Sequence, residues 1–236
     1  LNSTKISWTE KVWNPLTGCT KISSGCRHCY AEIIANDLQA QGNKRYANGF
    51  NLTLQRDKVD EPRHWRKPRL VFVNSMSDIF HKDVPFDYIA SIFGTMNACP
   101  QHTFQVLTKR SDILLQYAPR LKWSDNIWMG VTVEDQSQIH RIDDLRQVPA
   151  KVRFLSLEPL LGPIPNLNLN GIHWVIVGGE SGSGTNRFRP MDVDWARDIR
   201  DQCVTAGVKF FFKQYSGPDP KLLPHDLDGV IWHEMP

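Results

Sequence analysis

Six short runs dominate the apolar pattern of the chain: RLVFVNSM (69–76), TFQVLTKR (103–110), NIWMGVTVE (126–134), KVRFLSLEPL (151–160), IHWVIVGGE (172–180) and VKFFFKQY (208–215). Each is apolar at consecutive rather than alternate positions, as strands buried on both faces of a parallel sheet are. An earlier run, KISWTEKVWNP (5–15), predicts a first strand. Helix-like stretches lie between. Residues 31–42 end at Gly42, a C′ glycine. Residues 85–98 open with Pro85 at N1 and stop before Pro100. Ser111 is placed to cap a short helix through Tyr117, 135–147 reads as one polar-faced helix, and Asp192 caps 193–206 with Gly207 closing it. The βα unit recurs about six or seven times at roughly 20–35 residues each, which predicts an α/β fold with a parallel (βα)n sheet and right-handed crossovers. Periodicity leaves open whether it is a partial or a closed TIM-like barrel. One domain over 1–236 is expected, with a hairpin-like tail at 217–236 signalled by Asp228-Gly229 before an alternating run.

The strand ends carry the chemistry. They read Asn74-Ser75-Met76-Ser77-Asp78, Thr108-Lys109-Arg110, Thr132-Val133-Glu134, Glu158-Pro159, Gly178-Gly179-Glu180-Ser181 and Lys213-Gln214. Ligands of parallel α/β folds bind outside the C-terminal ends of the strands. A rim stocked with ionisable groups therefore predicts a shared pocket; capping and loop-to-loop salt bridges are the plainer account of each residue.

Composition narrows the setting. The 236 residues are 41% hydrophobic, enough for a substantial core. No apolar run approaches the ~20 residues that span a bilayer, and no charged-then-apolar leader signals export. The net charge of +3 permits a nucleic-acid partner without requiring one. Five cysteines without an export signal favour a reducing, cytoplasmic setting and metal or redox chemistry over a disulfide scaffold.

Three of those cysteines lie in GCTKISSGCRHCYAE (18–32), at spacing C-x6-C-x2-C. Cys26 and Cys29 flank a tight turn, and the helix that follows brings amides toward a thiolate. A closed zinc site needs a fourth ligand; His28, between two of the cysteines in a short turn, is poorly placed to be it, and a distant Cys203, Cys99 or His81 could serve. A redox dithiol leaves Cys19 unexplained. An iron–sulfur cluster on three cysteines leaves one iron free for a ligand.

The three clustered cysteines at the head of a βα-repeat chain resemble the radical S-adenosylmethionine (SAM) superfamily. The commonest superfamily spacing is C-x3-C-x2-C with an aromatic before the third cysteine; here the first gap is six and His28 holds that place, with Tyr30 just after. The chain is similar, more closely, to a phage- and prophage-associated radical-SAM-like family of unknown function, through WNPLTGCTKISSGCRHCYAE, VFVNSMSDIFH, FQVLTKR, GVTVE, RFLSLEPLLGPI, WVIVGGESG, FFFKQ and LDGVIWHEMP. The resemblance implies a [4Fe–4S] cluster on Cys19, Cys26 and Cys29, SAM on the fourth iron, reductive cleavage to a 5′-deoxyadenosyl radical, and an electron donor such as flavodoxin or ferredoxin. It also implies roles for the strand ends: Ser75, Ser77 and Asp78 toward the methionine amino group, Lys109 or Arg110 toward its carboxylate, Thr132 and Glu134 toward the ribose, and His28 or Tyr30 facing adenine. Glu158, Glu180 and Lys213 then lie on the substrate side.

The substrate is the open part. Residues 43–69 hold eight Lys/Arg against three Asp/Glu, with Tyr46, Phe50, His64 and Trp65 interleaved. That mixture suits a nucleic-acid backbone and its bases, though a solvated face with aromatics packed beneath it is the stronger account. Three readings follow: a radical SAM enzyme for DNA, RNA or a nucleotide; one for a small metabolite or peptide; and a non-enzymatic zinc or Fe–S module.

Overall fold

The consecutive apolar runs form strands with both faces covered, for two different reasons. The structure, a computed structural model, describes residues 4, 6–182, 188–219 and 222–236. In chain order the elements are β1 (Lys11–Trp13), β2 (Leu16–Thr17), α1 (Tyr30–Ala40), β3 (Thr53–Leu54), β4 (Leu70–Val73), α2 (Phe86–Asn97), β5 (Thr103–Thr108), α3 (Ser111–Tyr117), β6 (Ile127–Thr132), α4 (His140–Arg146), β7 (Arg153–Leu157), β8 (Trp174–Gly178), α5 (Val193–Ala206) and β9 (Lys209–Gln214). Seven strands make one parallel sheet in the order β1-β4-β5-β6-β7-β8-β9; β2 and β3 pair separately and antiparallel. Spatial order follows chain order, and helices α2 to α5 all pack in the main core.

One face carries Val71, Val73, Phe104, Val106, Met129, Val131, Leu155, Val175 and Phe210, packed in the main core with Ile89, Ile92 and Phe93 of α2, Leu114 of α3, Leu145 of α4 and Ile199 of α5. The β7–β8 crossover has no helix; Leu160, Ile164, Leu167, Leu169 and Ile172 cover the sheet instead. The opposite face carries Phe72, Phe154, Trp174, Ile176 and Phe211, which pack with Trp8 in a second core. Trp8 reaches the Phe72 ring on β4 at 4.6 Å and the Trp174 ring on β8 at 6.2 Å. Those strands are four positions apart, about 19 Å in a flat sheet, so the sheet is curled around its inner aromatics. It does not close: β1 and β9 each pair with one parallel neighbour. The free edge of β9 is taken by the tail: the Phe212 N–H of β9 donates to the Trp232 carbonyl, and the Glu234 N–H of the tail donates to the Phe210 carbonyl of β9. Asp228 and Gly229 make the expected turn, at φ +57° and +77°; tail residues 220 and 221 lie outside the described residues.

Gly130 exists for the inner layer. A Cβ there would sit 2.5 Å from the Phe154 ring. Some helix starts differ from expectation. Ser111 is the first helical residue, and its hydroxyl donates to Asp144 at 2.6 Å instead of capping. The 135–147 stretch splits into a 3-10 turn at Gln136–Gln138, capped by Asp135, and α4. Pro85 precedes α2 as its N-cap. Asp192 and Gly207 bound α5 as expected, Asp192 accepting from the Asp194 amide at 3.0 Å. Among the described residues no helix is long and apolar enough to cross a membrane.

The inner layer makes a direct prediction. Gly130→Ala overpacks Phe154 and should lower stability by about 1–3 kcal/mol, seen as a lower urea midpoint at unchanged slope; an unchanged midpoint would show that the inner layer has slack.

Candidate functional site

A cavity opens at the C-terminal ends of the strands, between the curled sheet and the cysteine loop. All three clustered cysteines line it, with Ser75, Ser77, Asp78, Lys109, Arg110, Thr132, Glu158, Glu180, Lys213, His28 and Tyr30. Of the candidate site residues only Glu134 stands outside the lining.

The loop is built onto the sheet through glycines and two buried charges. Gly18 takes φ +81°, and a Cβ there would lie 2.2 Å from the Asn51 carbonyl oxygen, so only glycine lets the chain pass. The Gly18 amide donates to Met76 at 2.9 Å and the Cys19 amide to Phe50 at 3.1 Å, which places Cys19 beside the end of β4. Arg110, at the end of β5, then grips the next turn. Its Nη2 donates to the Thr20 carbonyl at 2.9 Å and the Thr20 hydroxyl at 3.1 Å, and its Nη1 lies 3.4 Å from Cys19 Sγ. Asp78 accepts from Arg110 Nη1 at 2.9 Å, Thr108 Oγ1 at 2.7 Å, and the amides of Phe80 and Lys109. His81 Nε2 meets Thr20 Oγ1 at 2.8 Å. Farther along, the Ser23 hydroxyl donates to Glu134 Oε1 at 2.5 Å, and Gly25 lies so close over Glu134 that a Cβ would approach within 2.5 Å. Cys29 is the N-cap residue of α1. The six-residue first gap is thus the length that clasps Arg110 on one side and Glu134 on the other.

Several expected ligand groups are already engaged. Asp78 was expected at the methionine amino group, but both its oxygens are spent on Arg110, Thr108 and backbone amides. Arg110 was expected at the carboxylate; it holds the loop. Glu134 was expected at the ribose, but it is fully buried between Ser23 and Arg141, whose Nη1 donates to Oε2 at 2.8 Å. A buried carboxylate needs such partners, and that need outweighs exposure to the cavity. All three are engaged by protein groups, while Asp78 and Arg110 also line the cavity. Ser77 donates to the Leu16 carbonyl at 3.0 Å and Ser75 to Asn14 at 3.2 Å. The Tyr30 hydroxyl donates to the Ser75 carbonyl at 2.6 Å.

Lys109 Nζ stands 3.7 Å from Glu134 and so is held loosely. Lys213 Nζ pairs with Glu158 Oε1 at 2.7 Å, and Ser156 donates to the other oxygen at 3.1 Å. Glu180 is bound by the Arg189 side chain and amide, and His28 Nδ1 lies 3.1 Å away. Burial opposes the Glu180 charge, but the Arg189 hydrogen bonds and then His28 overcome it and hold its carboxyl below the usual range. Arg189 had no signal in the sequence.

The thiols are all free. Burial, then the Asp78 charge, pushes Cys19 up to about 11 against the pull of Arg110. Burial also raises Cys29, opposed by the amides of Glu32 and Ala31. Loading the loop as thiolates therefore expels protons. Cys99 and Cys203 are buried in the main core, outside the cavity lining. Among the described residues no group of three His, Cys, Asp or Glu side chains is gathered tightly enough to hold one metal ion. In the basic 43–69 stretch, Arg45 pairs with Asp57, Arg63 with Asp60 and Lys58 with Glu61, Tyr46 is buried and Trp65 packs on His102, while Lys44, Arg66 and Lys67 are exposed.

A family model described as "Protein of unknown function (DUF5131)" matches residues 3–236. No curated protein matches the chain. Among solved structures, "Spore photoproduct lyase complexed with dinucleoside spore photoproduct" is similar at 13% identity and a TM-score of 0.45, over 85% of this chain and 62% of that one. The chain thus spans less than two thirds of that protein's length.

Two predictions test the geometry. Arg110→Met strands the buried Asp78 charge; it should cost about 3–5 kcal/mol and speed amide hydrogen exchange across Thr20–Gly25, and exchange at the wild-type rate would show that the loop is held by other contacts. The Glu180 contribution to stability is full above its ordinary pKa of 4.5 and is lost as pH falls below that through its lowered value. Glu180→Gln should therefore flatten the acid side of the stability curve between about pH 5 and 3 in urea titrations; a slope equal to wild type would mean that the Arg189 contacts add no stability.

Proposed function

Because the chain belongs to the family of proteins of unknown function designated DUF5131, its activity must be read from the site, and we propose that it is a radical SAM enzyme acting on a nucleic acid or nucleotide. The observation that carries the reading is the placing of Cys19, Cys26 and Cys29, and of no other cysteine, on the rim of the strand-end cavity. Three thiols lining one cavity support this reading, since a cubane takes its cysteine ligands at separate iron corners. Of the nearby histidines, His81 has both ring nitrogens engaged, with Thr20 and the Asp83 amide, whereas His28 meets Glu180 through Nδ1 alone, so a zinc site completed by His28 is the rival that reconstitution must exclude. When bound, such a cluster with SAM supplies one-electron cleavage to a 5′-deoxyadenosyl radical.

The chain's own residues do the rest. Arg110 and Glu134 fix the loop against the sheet, and the Arg110 cation offsets negative charge at Cys19. Lys109 is the loosely held cation on the rim, suited to a ligand carboxylate as a charge-assisted donor. Glu158 and Lys213 form an ion pair lining the same cavity. Trp8 and Phe72 of the aromatic inner layer give it an apolar wall.

Anaerobic reconstitution with iron and sulfide should give about four of each per chain, and Cys19→Ala, Cys26→Ala and Cys29→Ala should each abolish it. With SAM and a reductant, 5′-deoxyadenosine should appear by mass spectrometry. One tightly held zinc per chain with no 5′-deoxyadenosine would overturn the reading in favour of a metal-binding module.

A further inference from the structure

Apart from Lys109, the charged groups lining the cavity are paired, yet two lining residues carry buried neutral polar atoms with no partner among the described residues. Asn74 follows β4 directly, is only 3% exposed, and lines the cavity. Neither its Oδ1 nor its Nδ2 has a hydrogen-bond partner. Its backbone sits at φ +62°, in the left-handed region, a conformation that asparagine tolerates better than most residues and that concentrates at functional sites. Trp8, also 3% exposed and lining the cavity, leaves its Nε1 unpartnered. Its place is built: Gln105 Nε2 donates to the Trp8 carbonyl at 3.1 Å, and the ring packs on Phe72. Ile6, Phe72 and Leu107 complete an apolar wall.

Buried polar groups in native proteins are nearly always paired, and each exception calls for a cause. Here the unmet capacity is a carboxamide, one donor beside one acceptor, plus an indole donor, set among apolar surfaces. An ammonium ligand would call for a carboxylate, and Asp78, Glu158 and Glu180 are taken; a carboxylate could meet Lys109 but would leave the amide acceptor unmatched. A saturated hydrocarbon would leave the three atoms unpaired. A planar heterocycle with a donor and an acceptor side by side on its edge satisfies them. Asparagine reads adenine N6 and N7 in this way, and aromatic or apolar walls hold the ring. We infer that Asn74 and Trp8 form a nucleobase subsite, Asn74 reading the edge of the base and Trp8, Phe72 and Leu107 enclosing its ring. The inference rests on the proposed reading only for calling this the substrate cavity; its binding chemistry requires neither cluster nor reductant.

The base has two possible sources, the adenine of SAM or the base of a substrate, and binding to the cluster-free chain separates them. Isothermal titration would use adenosine, thymidine, cytidine, a thymidine dinucleotide and a blocked peptide amide, each with and without SAM. At least one nucleoside should bind. Asn74→Asp keeps the shape and the left-handed backbone but removes the amide donor, and should weaken binding about tenfold. Trp8→Phe keeps a ring and removes the N–H, and should weaken it several-fold. Thermal melts of both variants guard against simple unfolding. Adenosine binding that SAM displaces would assign the subsite to the adenine of SAM; a pyrimidine or dinucleotide bound together with SAM would assign it to the substrate. The inference is overturned if no nucleoside binds, if both folded variants bind as wild type, or if the peptide amide binds best. Failure of SAM cleavage with nucleoside binding intact would overturn the proposed function and leave the subsite standing.

Discussion

The pair between Arg110 and Asp78 ties together the ends of two neighbouring strands and the cysteine loop. Asp78 lies just past β4, Arg110 just past β5, and the guanidinium reaches across to the segment that carries the first cysteine. Both are almost fully buried. Neither charge would tolerate that burial alone, since an ion removed from water needs a partner and further hydrogen bonds. The pair is over-determined: Asp78 is saturated by Thr108 and two amides, and Arg110 by Thr20. Glu134 and Arg141 repeat the device one strand further on. Between them these two pairs convert a glycine-bearing loop with little apolar content into a fixed wall of the cavity.

Much of this was legible in the chain. Six consecutive apolar runs became six strands of the parallel sheet in the expected order, because burial on both faces leaves that mark. Polar residues at the strand ends came together because a parallel sheet puts all its C-terminal ends on one side. Whether the barrel closes was not legible. Curling depends on Trp8 meeting Trp174, a contact between residues 166 positions apart in the sequence, and no local pattern encodes it.

The roles within the site were harder to read for a different reason. Asp78, Arg110 and Glu134 have the composition of ligand-binding groups, and sequence cannot tell a charge that meets a ligand from one that meets another buried charge. Asn74 shows the converse. It stood among the strand-end residues without distinction, and only its burial, its left-handed backbone and its two unpaired atoms set it apart. Arg189 came from a stretch without chemical signature and bonds to Glu180 through its side chain and its amide.

The clasped loop also sorts its positions by how freely they can drift. Lys21, Ile22, Ser24 and Arg27 face solvent, and a lineage could exchange them for almost any soluble residue. Thr20, Ser23 and Gly25 hold the contacts to Arg110 and Glu134, and Gly18 has no room for a side chain. Descendants of this protein would therefore keep the interval between the first two cysteines at six even while its letters change. The interval is measured by the distance between two buried charges in the sheet, and it can shorten only if those charges are replaced together.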